Sequence, residues 1–292
     1  MTPRSKIVLA AVLFSTGGAA IKWVGFDGWQ LAACRAGIAL ATILTLIPEA
    51  RRGWSWRTAL VGCAYAATTL LYVQANKHTT AASAIFLQST SPLFILVLAP
   101  WLLGEHATRR DLLQMGVMGL GLVLFFFGLD QPSATAPDPL FGDILAATCA
   151  VTWAFTVMGY RWIVARGGSI ATAAASGNLT ACIVALVMAQ PLAAGRPVDW
   201  AVVVFLGVCQ LGVPYVFLTR AIPRLRALEV VLFLLIEPVL NPVWAWLVHG
   251  ERPGAAALVG GGLILGATLV RSVVDARFPA MQPLVGQGHP SR

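Results

Sequence analysis

Lysine occurs only at positions 6, 22 and 77 of the 292 residues, and never after a glycine. A phosphate-cradling P-loop is therefore excluded, and with it direct ATP coupling by this chain. Its five cysteines show neither CxxC nor metal-ligand spacing, so they are read as small packing residues, with no metal site and no cofactor. HExxH and GxSxG are both missing, as is any His/Asp/Glu cluster, so no catalytic residue is assigned and the chain is not read as an enzyme. Charge is scarce too, at 11% of residues, far below what a soluble domain carries on its surface.

Apolar sequence fills the space. Hydrophobic residues make up 58% of the chain, and the mean hydropathy is +0.78. A helix needs about 20 mainly apolar residues to cross about 30 Å of hydrocarbon. Such runs fall near 6–26, 29–48, 57–76, 81–103, 110–129, 142–164, 169–190, 200–219, 227–249 and 254–271. The expected fold is an all-α integral membrane protein with ten transmembrane helices. The first run follows Arg4 and Lys6 and ends in STGGAA, as a signal peptide does, but nine further spans and no polar domain follow, so it is read as a span.

The net charge of +8 follows loop order. With the N-terminus in the cytoplasm, fifteen Lys and Arg fall on the inner side, and only Lys22, Lys77, Arg196 and Arg252 on or near the outer side. This asymmetry predicts both termini in the cytoplasm and a multi-pass protein of the cell inner membrane. The lipid bilayer and a small-molecule substrate are the expected partners, nucleic acid is not, and the expected state is a monomer or weak homodimer.

The two halves repeat. NKHTTAASAIFLQSTSPLFILVLAPWLLGE aligns with IPRLRALEVVLFLLIEPVLNPVWAWLVHGE at an offset of 146, placing Pro92 on Pro238, Gly104 and Glu105 on Gly250 and Glu251, and Gly116 on Gly262. Nearer the front of each half the offset is 139, with Phe14 on Trp153. Five helices per half is an odd number, so the second half enters the membrane from the opposite side: the repeats are inverted around a central cavity, the architecture of many alternating-access transporters. The boundaries expected are 1–129 for the first repeat, 130–142 for an external linker, 143–271 for the second repeat, and 272–292 for a disordered cytoplasmic tail.

A Pro-bearing helix, a Gly-Glu corner and a Gly-rich closing helix recur in SPLFILVLAPWLLGEHATRRDLLQMGVMGLGLVLF and EPVLNPVWAWLVHGERPGAAALVGGGLILGATLV. This pattern resembles the EamA domain, and the tandem resembles the drug/metabolite transporter superfamily, most closely its bacterial exporters of aromatic and other neutral amino acids. The resemblance covers about residues 6–271 and implies ten helices around a cavity lined mainly by helices 1, 3, 4, 6, 8 and 9. It also implies a secondary exporter of small metabolites. A channel-like facilitator, or a transporter of other amphipathic metabolites or drugs, is the alternative; no charge ring or TVGYG-like filter supports a channel.

Helical spacing selects the candidate lining. Tyr65, Thr69, Tyr72 and Asn76 share one face of the third span, and Cys149, Trp153, Thr156 and Tyr160 one face of the sixth. Gln88, Thr90 and Ser91 precede Pro92, and Glu237, Asn241 and Trp244 form a stripe in the ninth span. The substrate-cavity candidates are thus Tyr72, Asn76, Gln88, Ser91, Trp153, Thr156, Tyr160, Glu237, Asn241 and Trp244; Arg35, Lys22 and His78 are possible charge partners. Ser, Thr and Asn in membrane helices also serve simply as interhelical hydrogen-bonding groups. Arg35 either meets a carboxylate or snorkels to the outer surface.

Pro92 and Pro238 each remove one backbone hydrogen bond and make matched hinges. Glu237, at the position matching Ser91, either stitches a carbonyl freed by the bend or serves coupling or a substrate amine. Gly250 is expected to close its helix in the left-handed conformation, with Glu251 at the N-terminus of the helix that follows.

Overall fold

The computed structural model describes residues 1–102, 109–127, 133–221, 224 and 233–277. Among these every regular element is helical. The first span is split: α1 (Pro3–Ser15) ends where the Ser15 and Thr16 hydroxyls donate back to the carbonyls of Val12 and Leu13, at 2.7 Å each, and α2 (Gly17–Trp23) restarts beyond. These local bonds compete with the helical ladder and tighten the last turn. Next comes α3 (Gly28–Leu46), capped by Asp27, then a 3-10 turn (Pro48–Arg51) and α4 (Trp56–His78), opened by a Ser55/Thr58 capping box.

The fourth span is also split, into α5 (Ala81–Gln88) and α6 (Ser91–Leu102), and α7 (Arg109–Phe127) closes the first half. The second half runs α8 (Pro139–Val164), α9 (Ile170–Met188), α10 (Pro197–Phe205), a π-helical turn (Leu206–Gly212), α11 (Val213–Ala221), α12 (Ile236–His249) and α13 (Ala255–Arg277). Gly250 ends α12 at φ 67°, the left-handed conformation a helix-closing glycine supplies. The matching corner at Gly104, Glu105 and Thr108 lies outside the described residues.

Among the described residues, seven stretches are long and apolar enough to cross a bilayer: Pro3–Trp23, Gly28–Leu46, Trp56–His78, Ala81–Leu98, Pro139–Val164, Ile170–Met188 and Pro197–Ala221. Leu112–Leu124 and Ala255–Val270 are shorter apolar helices. Leu113, Val187, Leu247 and Val270 are exposed on the outside of the bundle, as lipid-facing side chains are.

Glycines set where helices touch. A Cβ on Gly177 of α9 would lie 2.8 Å from the Gly62 carbonyl oxygen of α4 and 2.4 Å from the Tyr65 ring. A Cβ on Gly121 of α7 would lie 2.8 Å from the Gly260 carbonyl of α13. Small residues at these crossings let backbones approach closely, which drives helix association in lipid. Gly116, Gly119, Gly262 and Gly266 meet nothing within 4 Å. All five cysteines are free.

The connections sort to two ends. Residues 47–55, 165–169 and 220–221 lie at one end with the N-terminus, held together where Thr172 donates to the carbonyls of Glu49 and Arg52. Arg57 and Arg166 stack on Trp162 at this end, an aromatic and basic rim of the kind found at membrane interfaces. At the other end lie 24–27, 79–80, 133–138, 189–196 and 250–254, tied by bonds such as Asp138 N–H to His78 O at 3.1 Å and Gln30 to the Ala193 backbone.

Candidate functional site

A cavity of about 880 Å³ enters the bundle from the basic end, where Glu49, Ser169 and Arg220 frame its mouth. Its walls are aromatic: Phe14 meets Tyr215 edge-on at 6.1 Å, Tyr215 meets Tyr65 edge-on at 5.9 Å, and Trp153 and Tyr160 stand on α8. Edge-to-face packing holds these rings and leaves their faces for a ligand. The Tyr160 hydroxyl is buried without a hydrogen-bond partner among the described residues. Thr68, Thr69, Tyr72, Gln88, Ser91, Gln210 and Glu237 add polar groups, so an apolar chamber carries a few hydrogen-bonding positions, the composition of a small-molecule site.

Arg35 is the cation of this chamber. It lines the cavity at 3% exposure and does not snorkel, because neutral side chains inside the bundle hold it. Its Nε and Nη2 donate to Gln210 Oε1 at 3.2 and 2.9 Å, and Nη1 donates to Thr69 Oγ1 at 3.3 Å. Glu237 is within electrostatic reach of Arg35.

Pro92 and Pro238 both line the cavity, each in the first turn of a restarted helix. The helical ladder is interrupted just before each proline, at Ser89–Thr90 and at Leu235, while Ser89 and Leu235 keep right-handed helical angles. Ser89 and Thr90 hydroxyls bond back to the carbonyls of Ile85 and Leu87, ending α5, and Leu235 forms the turn before α12. A proline at a first helical turn loses nothing, since its missing N–H would have had no partner there. Replacing Pro92 or Pro238 by Ala should allow the two pieces to fuse, slowing transport more than it lowers folded yield; equal losses of both would remove the hinge role.

Several candidates sit outside the lining. Asn76 is fully buried and donates to the Tyr72 carbonyl at 2.9 Å, while Asn241, equally buried, donates to the Tyr72 hydroxyl at 3.1 Å. Together they sit against Gly18 of α2, forming a layer between the cavity and the far end. Thr156 bonds to the Thr152 carbonyl at 2.9 Å and faces Thr68; Trp244 donates to Ser15 Oγ at 2.9 Å. Asn241, Thr156 and Trp244 do what polar side chains commonly do between membrane helices, joining one helix to the next, whereas the Asn76 amide bonds back within α4. His78 bonds the Gln74 carbonyl at 2.7 Å and packs on Phe141, away from the cavity.

Gln210 and Tyr215 line the cavity without having been singled out by helical spacing. They are five residues apart across the π-helical turn, so a search at steps of three and four places them on different faces. The signal in the sequence is Pro214, whose ring clashes with the carbonyl four residues earlier, that of Gln210, and favours a widened turn.

The sequence profile of the EamA-like transporter family matches residues 5–127 and 140–273. The chain belongs to that family. Among its relatives are the pseudopaline exporter CntI of two Pseudomonas aeruginosa strains, 28% identical over 206 residues and 29% over 209, each covering 69% of both chains. An uncharacterized transporter of Archaeoglobus fulgidus is 27% identical over 270 residues, 90% of this chain and 94% of its own. A solved crystal structure superposes with a TM-score of 0.65 over 96% of this chain and 99% of its own; at 21% identity this shows the shared fold alone.

The far end of this EamA-family transporter is closed by polar contacts within and between its two matched segments. Lys22 of α2 pairs with Glu251 at 3.2 Å, both side chains almost fully buried. The same ammonium donates to the carbonyls of Thr79, at 2.6 Å, and Thr135. Glu251 was expected to serve the helix that follows it; instead its carboxylate accepts from the N–H of Ala81 at 2.9 Å, capping α5 in the other segment. Lys77 to Val24 O at 2.6 Å, Gly25 N–H to Asp199 at 3.0 Å and Thr79 to Asp143 at 2.6 Å complete the seal. Lys22 is therefore a structural cation of the closed end and stands apart from the cavity.

Proposed function

We propose that this protein is a secondary, non-ATP exporter of small metabolites, neutral and aromatic amino acids first among them, working by alternating access. The proposed organisation is ten helices in two inverted repeats, residues 1–129 and 143–271, in the cell inner membrane with both termini in the cytoplasm. The basic rim is then the cytoplasmic face, by the positive-inside rule, and the cavity opens inward. The observation that carries the substrate class is one chamber holding aromatic walls, the Arg35 guanidinium and the Glu237 carboxyl together. Such a chamber suits an apolar side chain at one point and a charged backbone end at another. The relatives named as exporters support the outward direction.

The cavity volume of about 880 Å³ also favours a second reading, a larger amphipathic metabolite, because pockets for drug-sized ligands run from about 300 to 1,000 Å³. Uptake by reconstituted liposomes across a panel of labelled phenylalanine, tryptophan, leucine and threonine, with and without a pH gradient, tests the first reading. Saturable uptake of at least one is expected; uptake no faster than in protein-free liposomes for all four would overturn it. Glu237→Gln should raise the half-saturating concentration by roughly tenfold, the worth of one charge-assisted hydrogen bond to a substrate amine. An unchanged half-saturating concentration would remove Glu237 from substrate recognition.

A further inference from the structure

A fully buried cation whose partners are all neutral is an unbalanced charge, and burying one is costly unless something of opposite sign completes it. Arg35 is in that position. Of the five guanidinium N–H groups, Gln210 takes two through a single oxygen and Thr69 takes one, leaving two. Glu237, on the same cavity wall, is within electrostatic reach of it, but among the described residues no carboxylate stands within ion-pairing distance. The group lines a cavity large enough for a ligand and open to solvent at one end.

The chain also spends structure on holding the guanidinium still. The π-helical turn LGVCQLG has a glycine at each end, and both glycines press on α3: a Cβ on Gly207 would lie 2.5 Å from Ile38 Cβ and 3.1 Å from the Arg35 carbonyl, and one on Gly212 2.5 Å from Thr42 Cγ2. This close approach brings Gln210 to Arg35, and the amide is fixed in turn because its Nε2 donates to the Phe14 carbonyl at 3.2 Å. That bond orients the Gln210 oxygen toward the guanidinium. π-turns of this kind gather at functional sites because they re-aim one side chain without ending the helix.

We propose that Arg35 is the carboxylate-binding subsite of the cavity and that Gln210, on the π-helical turn, is the positioning residue that aims its remaining N–H groups at a ligand carboxylate. The subsite rests on the reading of the cavity as a substrate chamber, and it narrows the substrate class to molecules bearing a carboxylate beside an apolar group. A ligand carboxylate supplies the directly paired counter-charge that Glu237 does not, through the paired donors a guanidinium offers to two oxygens.

The test is calorimetric titration of the purified, detergent-solubilised full chain carrying Glu237→Gln, which removes the carboxyl that would hold an amine, with phenylalanine, 3-phenylpropanoate, which keeps the carboxylate and lacks the amine, and phenethylamine, which keeps the amine and lacks the carboxylate. Phenylalanine and 3-phenylpropanoate are expected to bind and phenethylamine to bind at least tenfold more weakly, on the order of one charge-assisted pair. Gln210→Ala should weaken 3-phenylpropanoate by roughly tenfold. Gln210→Glu places an internal carboxylate on Arg35 and should weaken it further, whatever the change in melting temperature. A merely structural Gln210 instead makes each loss of affinity follow the loss of melting temperature. The proposal is overturned if phenethylamine binds as well as 3-phenylpropanoate, if none of the three binds, or if Gln210→Glu binds 3-phenylpropanoate as the unaltered protein does. Carboxylate-dependent binding without transport of any amino acid would leave the subsite standing and overturn the exporter reading; amino acid transport with no dependence on the carboxylate would do the reverse.

Discussion

Lys22→Met is expected to lower the unfolding free energy by about 3–5 kcal/mol, the cost of leaving one member of a buried ion pair without its partner. Both side chains are only 3–4% exposed, so water cannot replace the lost ammonium at Glu251. The ammonium also carries the carbonyls of Thr79 and Thr135, which lose their donor in the same step. Adding Glu251→Gln removes the orphaned charge while an amide oxygen still accepts from Ala81 N–H, so the double variant should recover a large part of the loss. Denaturant or thermal unfolding of the three variants beside the unaltered protein measures this. Losses that simply add would show that Lys22 and Glu251 are not coupled. The functional corollary concerns gating: the pair joins α2 to the corner after α12, so opening the far end has to separate it.

The second large effect is expected at Gly177. A leucine there puts its Cβ 2.8 Å from the Gly62 carbonyl, which is backbone and cannot rotate away, and 2.4 Å from the ring of Tyr65. Overpacking costs about 1–3 kcal/mol and occasionally more; the rigid neighbour puts Gly177→Leu at the upper end. Tyr65 is a wall of the cavity, so transport should fall beyond the loss of folded protein. Gly262→Leu is the control: nothing lies within 4 Å of a Cβ at that position, and folded yield should change little. Melting temperature and specific transport of the two variants decide the matter, and equal effects at both positions would contradict the packing argument.

Much of the fold was legible because a bilayer forces long apolar runs, and among the described residues seven of those runs form helices long and apolar enough to cross one. The duplication was legible because Pro92 and Pro238 keep one offset, and both begin a restarted helix at the cavity wall. Individual lining residues were harder. Tyr72, Gln88, Ser91, Trp153, Tyr160 and Glu237 line the cavity. Asn76 and Asn241 share helical faces with them but lie a turn deeper, where α2 crosses at Gly18 and covers both; Asn241 bonds across to the Tyr72 hydroxyl and Asn76 back to the Tyr72 carbonyl. Periodicity shows the face a residue occupies and not the depth at which a neighbouring helix covers it. Gln210 was hidden for another reason, since the π-helical turn breaks the period on which the search relied. Lys22 and Glu251 found each other across 229 residues of sequence, a pairing that local pattern does not encode.

The most direct measurement of the central claim is countertransport: liposomes carrying the protein are loaded with unlabelled phenylalanine and placed in labelled phenylalanine. Alternating access through one cavity predicts saturable uptake that is faster in loaded than in empty liposomes, because each returning cavity carries a molecule out. Uptake that rises linearly with concentration and is indifferent to the internal load would mean a continuous pore, and would contradict the account.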